Sequence, residues 1–411
     1  MNLLQKIFNK KYLANKACYL KMPAEIWGLG FVSMFMDISS ELVHSILPIF
    51  MVTVLGTPVV TVGIIEGFAE GTAAVTKVFS GVVSDYCRKR KFLAVTGYLL
   101  SAVTKPIFAF ATTIGWVFGA RFIDRIGKGI RGAPRDALVA DIAPAELRGA
   151  AFGLRQSLDS VGAFIGPFLA VILMIWFEDN IRTVLWIAVL PAFIAVSLLI
   201  FTVHEPQCQD RSSGDSLNRL RVNDIMCLSK RYWLVVALGA VFTLARFSEA
   251  FLILRAQDVG VSIGYIPVVM IVMNIFYSLF AYPAGVASDR LSARAILLFG
   301  LSILIAADLI LALAVSPWVT FAGAAFWGLH MAFTQGLFSK LIADTAPEGL
   351  RGTAFGMFNL VSGIALFLAS LIAGALWSTF GASATFIAGA VFAFLAVIGL
   401  LLFFNKPRLY D

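Results

Sequence analysis

The chain has 411 residues, of which 60% are hydrophobic and only 14% are charged. Soluble domains average about 25% charged residues, so this composition excludes an ordinary water-soluble globular protein. A backbone inside a bilayer must satisfy its own hydrogen bonds, which leaves helices or a closed barrel. Apolar runs without strict alternation, such as residues 295–314 and 383–404, predict helices. We therefore expect an all-α integral membrane protein.

The formal net charge of +8 does not indicate a nucleic-acid partner. The basic residues lie mostly in short connections between apolar runs, as the positive-inside rule predicts for a membrane protein. Residues 1–21 contain five lysines among apolar residues and lack the pattern of a cleavable signal. We predict a cytoplasmic basic segment there, either an interfacial helix on anionic lipid or a loosely ordered tail.

About twelve apolar stretches are long enough to cross a bilayer, which takes about 20 residues each. A polar stretch at residues 205–231 divides them into two groups of six and reads as a cytoplasmic linker. The predicted bundles occupy residues 22–204 and 232–404, and residues 405–411 form a tail. The spans are expected at residues 26–52, 61–84, 92–112, 115–138, 149–174, 183–203, 232–255, 264–287, 294–314, 317–342, 351–377 and 382–404.

Lysine and arginine are distributed unequally between the two sets of connections. Residues 88–91, the linker and both terminal segments are basic, whereas the connections at 56–60, 112–115, 315–317 and 380–382 contain no basic residue. The positive-inside rule therefore predicts that both termini are cytoplasmic. We expect a multi-pass protein of the plasma (inner) membrane.

An internal repeat relates the two halves. Gly81-Val-Val-Ser-Asp85 recurs as Gly285-Val-Ala-Ser-Asp289, and residues 141–153 recur in similar form as residues 344–356. Parallel repeats of this kind occur in transporters that rock one half against the other. The whole chain resembles the major facilitator superfamily, whose signature is similar to the block that runs from Gly81 to Arg90, with Arg88 where the family usually has Gly. The resemblance implies two pseudo-symmetric six-helix bundles, alternating access and a central cavity.

The repeated blocks also predict a cytoplasmic gate. Asp85 and Asp289 are expected at helix ends, each opposite a helix start in the other half, where exposed N–H groups attract a carboxylate. Alternatively, these charges only mark orientation and tight turns. The predicted gate comprises Gly81, Asp85, Lys89, Arg90, Arg148, Gly285, Asp289, Arg290 and Arg351.

Ionisable residues at membrane depth are costly and are functional candidates by default. Asp37, Glu41 and Glu70 have no base nearby on their own helix, so we predict that one of them takes up the coupled proton, while Arg125 holds the carboxylate ionised until the substrate leaves. Arg155 with Asp159, and Arg246 with Glu249, have the spacing of local ion pairs, and His44 has a purely structural alternative. The predicted substrate-cavity residues are His44, Glu66, Arg121, Asp124, Arg155, Asp159, Arg246, Glu249, Asn274, His330, Gln335 and Asn359.

Two further motifs resemble those of proton-coupled drug and small-molecule exporters. Arg125-Ile-Gly-Lys-Gly129 is similar to a fourth-helix motif whose arginine assists proton exchange. Gly162-Ala-Phe-Ile-Gly-Pro167 is similar to an antiporter bend, although Leu169-Ala170 replaces the glycine pair that usually follows. A plain packing bend at Pro167 is the alternative.

The charged residues of span 4 have no charged counterpart in the second half; they are Arg121, Asp124, Arg125, Lys128, Arg131 and Arg135. Arg131 and Arg135 are expected to serve only the membrane surface, whereas the deeper Arg121, Asp124 and Arg125 are expected to act in coupling or cargo binding. The predicted function is a monomeric secondary transporter, a proton-coupled antiporter that exports a small organic molecule, either a drug or an anion such as a siderophore-like chelator. A divalent-metal exporter and a proton-coupled importer of a small carboxylate are the alternatives. We expect small-molecule, proton and lipid partners, and no enzyme motif, cofactor or resident metal site.

Overall fold

The computed structural model describes residues 22–87, 89–144, 147–204, 228–345 and 351–403. The predicted N-terminal segment, most of the linker and the tail lie outside the described residues. Within those residues every regular element is helical.

The first half contains six spans, numbered here α1 to α6, of which the sixth has two parts. A short π-helical stretch, Phe50–Val54, extends the first span. The helices are α1 (Ala24–Ile49), α2 (Val59–Cys87), α3 (Arg90–Phe110), α4 (Ile114–Ile142), α5 (Arg148–Trp176), α6a (Ile181–Ile187) and α6b (Val189–Thr202).

The second half contains the remaining six spans, and its first span is interrupted. The helices are α7a (Lys230–Leu244), α7b (Ala250–Asp258), α8 (Val268–Arg290), α9 (Ala293–Ala312), α10 (Pro317–Thr345), α11 (Arg351–Phe380) and α12 (Ala382–Phe403). The protein is thus an all-α membrane protein of twelve spans in two bundles, which confirms the predicted fold class.

Nine of the helical spans in the described residues are long and apolar enough to cross a membrane by composition alone. The span formed by α4 falls outside that set because its charged residues lower its hydropathy. The span formed by α7a and α7b falls outside it because neither part is long enough. The described part of α10 is the third span outside the set, because its glycine, threonine, tryptophan and histidine residues lower its mean hydropathy.

The prediction of one continuous helix over residues 232–255 is wrong, because the seventh span is interrupted. Residues 246–248 are not helical. The hydroxyl of Ser248 accepts a hydrogen bond from the Ala250 N–H (3.3 Å), and the Ser248 N–H donates to the Ser370 hydroxyl of α11 (3.2 Å). Side chains thereby satisfy backbone groups that a continuous helix would pair internally.

The two halves meet most closely where α2 runs along α11. A Cβ atom added at Gly63 would lie 2.5 Å from the Ser370 carbonyl oxygen, and one at Gly374 would lie 3.0 Å from the Val60 Cα. Small residues permit this backbone-to-backbone approach. We call the side of the membrane where α6b ends and α7a begins the linker face. The Gly63–Gly374 contact lies toward the other side, the opposite face.

Candidate functional site

A cavity of ≈ 520 Å³ lies between the halves and is walled by α1, α2, α4 and α5 on one side and by α7a, α10 and α11 on the other. A smaller cavity of ≈ 230 Å³ adjoins it and reaches His44, Arg125 and the interrupted segment of the seventh span. Toward the opposite face, the α2–α11 contact closes the space between the halves.

The first half supplies nearly all the charge on these walls. The described lining includes five acidic side chains, Asp37, Glu41, Glu70, Asp159 and Glu249, and six basic ones, Lys77, Arg125, Lys128, Arg131, Arg135 and Arg246. Only Arg246 and Glu249 come from the second half.

Cross-helix ion pairs hold Arg121, Asp124 and Arg125 of α4. Arg121 binds Glu66 at 2.7 Å, and Arg125 binds Glu70 at 3.0 Å. Lys105 of α3 binds Asp124 at 3.0 Å, and both side chains are buried. An isolated buried charge is far more costly than a paired one, so these pairs explain how so polar a helix is held inside the bundle.

Lys105 is a residue that the sequence analysis missed. It is fully enclosed, and its Nζ also donates to the Ser40 hydroxyl (3.3 Å). The available signal was a single lysine in the middle of an apolar run, which by itself is a functional-site candidate.

His44 lies between two carboxylates. Its Nδ1 is 3.7 Å from Glu41 Oε2, and its Nε2 is 3.8 Å from Glu66 Oε2. Glu41 lines the cavity, whereas Glu66 is completely buried.

Some charged groups on the wall have no ion-pair partner in the described residues. Asp37, Lys77 and Lys128 line the cavity without such a partner, and Lys77 and Lys128 are exposed to it. Arg131 donates to the Ser101 hydroxyl (2.6 Å), and its guanidinium lies 4.8 Å from the Tyr98 ring centroid. The unpaired groups therefore include more positive than negative charge.

The second half presents an aromatic wall. The ring centroids of Phe242 and Phe338 are 4.9 Å apart, and those of Phe338 and Phe358 are 6.0 Å apart. Thr243, Asn359 and Ser362 supply neutral polar groups beside these rings. The cavity thus has one charged and one largely apolar side.

The comparisons with known proteins identify the family. The Major Facilitator Superfamily sequence profile matches residues 29–255 and 234–410. The chain belongs to the Major Facilitator Superfamily. It is 31% identical over 410 residues to an uncharacterized MFS-type transporter of Methanocaldococcus jannaschii, covering 98% of this chain and 100% of that protein.

Solved structures of superfamily transporters share the fold. A crystal structure of the nucleoside transporter NupG superposes with a TM-score of 0.78 at 16% identity, covering 92% of this chain and 100% of that one. A POT family transporter in complex with 5-aminolevulinic acid gives a TM-score of 0.75 at 12% identity, covering 93% and 96%. At these identities the likeness concerns the fold.

Within this superfamily fold, the predicted proton-coupling residues come together. Asp37, Glu41 and Glu70 line the larger cavity, and Arg125 lines the smaller one. Of the predicted cavity residues, five lie on the described walls: His44, Asp159, Arg246, Glu249 and Asn359.

Six other predicted cavity residues do not lie on the described walls: Glu66, Arg121, Asp124, Arg155, Asn274 and His330. The first three are buried behind the wall in the ion pairs of α4. Asn274 donates to the Ala163 carbonyl of α5 (3.3 Å), and His330 Nδ1 lies 2.8 Å from the Gly300 carbonyl oxygen. The side chain of Gln335 lies outside the described residues.

Two pairs of residues form the local ion pairs that their spacing predicts. Arg155 binds Asp159 at 2.6 Å, and Arg246 binds Glu249 at 3.4 Å. Asp159 nevertheless faces the larger cavity, and Arg246 and Glu249 face the smaller one.

The expectation that Arg131 and Arg135 serve only the membrane surface is wrong. Arg131 is 5% exposed, and both residues line the cavity. Arg135 donates to the Ser33 hydroxyl of α1 at 3.1 Å. The turn of α4 that carries them faces α1 and α3 because the helix continues inside the bundle to Ile142.

The predicted gate is described only in part. Lys89 is exposed, and Arg90 forms an ion pair with Asp141. The surroundings of the other gate positions lie outside the described part of the structure, so the latch between the halves stays a prediction. These positions are Gly81, Asp85, Arg148, Gly285, Asp289, Arg290 and Arg351.

Proposed function

We propose that the protein is a proton-coupled antiporter of the plasma membrane that exports a small organic anion with an apolar or aromatic part. The observation that carries this proposal is the two-sided cavity. Lys77, Lys128 and Arg131 offer positive charge without a carboxylate partner in the described residues, and three phenylalanines face them from the other half. A cargo with an anionic end and an apolar body matches both walls.

Proton coupling is supported by the carboxylates on the same wall. Asp37 has no ion-pair partner in the described structure, and Glu70 is held by Arg125 at 3.0 Å. A carboxylate that alternates between an arginine partner and a proton can link proton entry to cargo release. The antiporter-like motifs of α4 and α5 favour export, with the linker face as the cytoplasmic side.

The alternatives have less support. No group of three or more His, Cys, Asp or Glu residues in the described ranges is arranged to hold a metal ion, so a divalent-metal cargo lacks a ligand cluster there. Import of a small carboxylate would use the same cations but would leave the aromatic wall without a role.

The test is transport by the purified full chain in proteoliposomes with an imposed pH gradient and an internal pH-sensitive dye. The probes are salicylate as an aromatic anion, citrate as a non-aromatic anion, and ethidium as an aromatic cation. We expect salicylate to move protons and citrate and ethidium to move far fewer. Proton movement with ethidium alone, or with none of the probes, would contradict the proposal.

Arg125→Ala should reduce proton-coupled flux to the level of empty vesicles, because Glu70 loses the cation that holds it ionised. Folding should survive, since the Glu70 side chain is 30% exposed toward the cavity and can be hydrated. Arg182→Ala is the matched control, because Arg182 donates to the Ala109 carbonyl (3.1 Å) and lies outside the described cavity lining. Flux by Arg125→Ala equal to this control would remove Arg125 from the mechanism.

A further inference from the structure

His44 connects two environments that are otherwise separated. Its side chain lies on the wall of the smaller cavity and is 11% exposed, whereas Glu66, which faces its other ring nitrogen, has no exposed surface. Glu66 lies seven residues after the start of α2, about 10 Å from the opposite-face end at 1.5 Å per residue. Glu41 lies one turn nearer the linker face than His44 and opens into the larger cavity.

The contacts of His44 differ from those of a structural histidine. His330 shows the structural arrangement, since it is fully buried, its Nδ1 lies within hydrogen-bond distance of the Gly300 carbonyl, and its ring stacks on Phe242. The two ring nitrogens of His44 lie 3.7 and 3.8 Å from carboxylate oxygens, whereas no described ion pair joins His330 to a carboxylate. The Nε2 atoms of both histidines are buried without a hydrogen-bond partner, and beside His44 the same holds for Glu66 Oε1 and Arg121 Nε. Unsatisfied buried groups in a native structure call for an explanation.

We propose that His44 carries protons between Glu66, beneath the opposite face, and Glu41 in the cavity. The proposal rests on the proton-coupled antiport inferred above and adds the residue through which the proton crosses the closed side.

In one transfer, Nε2 accepts the proton of a protonated Glu66, which leaves the Glu66 carboxylate with Arg121. The ring is then an imidazolium, and its Nδ1 gives up its proton to the Glu41 carboxylate. One proton has moved and no charge is left behind. The ring ends as the Nε2–H tautomer, and it returns to the Nδ1–H tautomer by losing the Nε2 proton to solvent in the smaller cavity and taking one up at Nδ1, since the side chain is 11% exposed on that wall. Both contacts exceed the ~3 Å of a hydrogen bond, so each transfer requires a small approach of α1 to α2.

The charged residues around His44 fit a carrier that is occupied only transiently. Negative groups adjoin both ring nitrogens, while arginines on α4 pair with the carboxylates and oppose a permanent positive charge. The titratable and charged groups that face this region from α1, α2, α4 and the seventh span are Glu41, Glu66, Glu70, Arg121, Arg125, Lys128, Arg246 and Glu249.

The first test does not depend on any cargo. The chain has three histidines, so ring ¹⁵N spectra of the full chain in lipid nanodiscs contain three sets of signals, and His44→Gln assigns one of them. We expect both His44 ring nitrogens to show exchange between protonated and unprotonated forms, since the proposal requires a proton on each in turn. Glu41→Gln should perturb Nδ1, and Glu66→Gln should perturb Nε2.

His44 signals without such exchange, or a response to only one of the two substitutions, would overturn the proposal. Glu66→Gln leaves Arg121 without its partner and can impair folding. Glu66→Asp is therefore the second variant, because it keeps a carboxylate for Arg121 but draws the oxygen away from His44.

The second test separates coupling from binding in proteoliposomes loaded with salicylate. His44→Gln should lower pH-driven flux about a hundredfold, the scale of a lost proton-transfer group, while exchange of labelled for unlabelled salicylate at equal pH falls far less. His330→Gln is the matched control and should retain the coupling. Equal loss of both fluxes in His44→Gln, or no loss, would overturn the role of His44. If the unaltered protein moves no protons with salicylate, the proposed function fails, and the spectra still decide whether His44 exchanges protons.

Discussion

Two buried aspartates, one in each half, differ in whether they have an ion-pair partner. Asp124 of α4 is paired with Lys105, whereas Asp308 of α9 is fully buried with both carboxyl oxygens unpartnered in the described structure. Asp308 fits beside Gly389 of α12, where an added Cβ would lie 2.6 Å from its Oδ2. A carboxyl group buried without a partner costs more than a neutral group of the same shape.

Asp308→Asn should therefore raise the unfolding temperature at neutral pH, because the amide requires neither a buried charge nor the uptake of a proton on folding. Asp124→Asn is the contrasting variant and should lower it, because Lys105 would lose its charge partner. Thermal unfolding of both variants in detergent, followed by tryptophan fluorescence, checks the pair. A lower unfolding temperature for Asp308→Asn would show that Asp308 has a stabilising partner.

At the residue scale, the sequence showed which membrane-embedded residues are ionisable but not which side chains surround them. Glu66 and Glu70 are one turn apart on α2 and were both expected at the cavity. Only Glu70 reaches it, because Arg121 and His44 enclose Glu66. Helical spacing fixes which residues share a face, but the residues that cover that face come from distant parts of the chain.

Among the elements, α2 and α11 form the contact on which closure of the opposite face depends. A Cβ atom added at Gly63 would lie 2.5 Å from a backbone oxygen of α11, and one added at Gly67 would lie 2.9 Å from another. Neither position therefore has room for a side chain. The atoms in the way are main-chain atoms, which cannot change rotamer.

Gly63→Ala should push the two helices apart at the opposite face and reduce transport severalfold, at a cost of about 1–3 kcal/mol in stability, as for an overpacked core. Gly119→Ala is the matched control, since nothing lies within 4 Å of its added Cβ. Flux and unfolding temperature of the two variants, measured side by side, test this contact. Equal behaviour of both would mean that the α2–α11 approach does not control closure.

The element scale also shows where sequence patterns stop being informative. Hydropathy predicted all twelve spans, because every span must satisfy its own backbone in lipid. The interruption at residues 246–248 was missed because no glycine or proline marks it. It depends on the Ser370 hydroxyl of α11, a contact 122 residues away in the chain.

At the scale of the whole molecule, the two halves share a repeated sequence pattern but line the cavity with different kinds of residue. Gly81–Asp85 and Gly285–Asp289 are alike in sequence, yet the first bundle supplies the charged wall and the second the aromatic one. The repeat could be read from the sequence, and so could the absence of basic counterparts to the α4 residues. The aromatic wall could not, because Phe242, Phe338 and Phe358 look like ordinary membrane-span residues until the helices are assembled.

Linking the halves at the opposite face should stop transport. The Val60 N–H donates to the Ser378 hydroxyl across the α2–α11 contact at 3.1 Å, so Val60→Cys with Ser378→Cys places two thiols within reach of a short bis-methanethiosulfonate, which joins them through disulfide bonds. The four native cysteines are replaced by serine. We expect cross-linking to abolish salicylate-driven proton movement and a reductant to restore it, while each single-cysteine protein stays active. Continued transport by the cross-linked protein would mean that the opposite face need not open.

The near balance of six basic and five acidic side chains on the described walls has a consequence for energetics. Moving one elementary charge through the full membrane potential is worth about 2.3 kcal/mol per 100 mV. If the halves rock as alternating access requires, these opposite charges move together, so voltage would do little net work on the walls themselves. In the antiport proposed above, the electrical driving force would then act on the proton in one crossing and on the anionic cargo in the other.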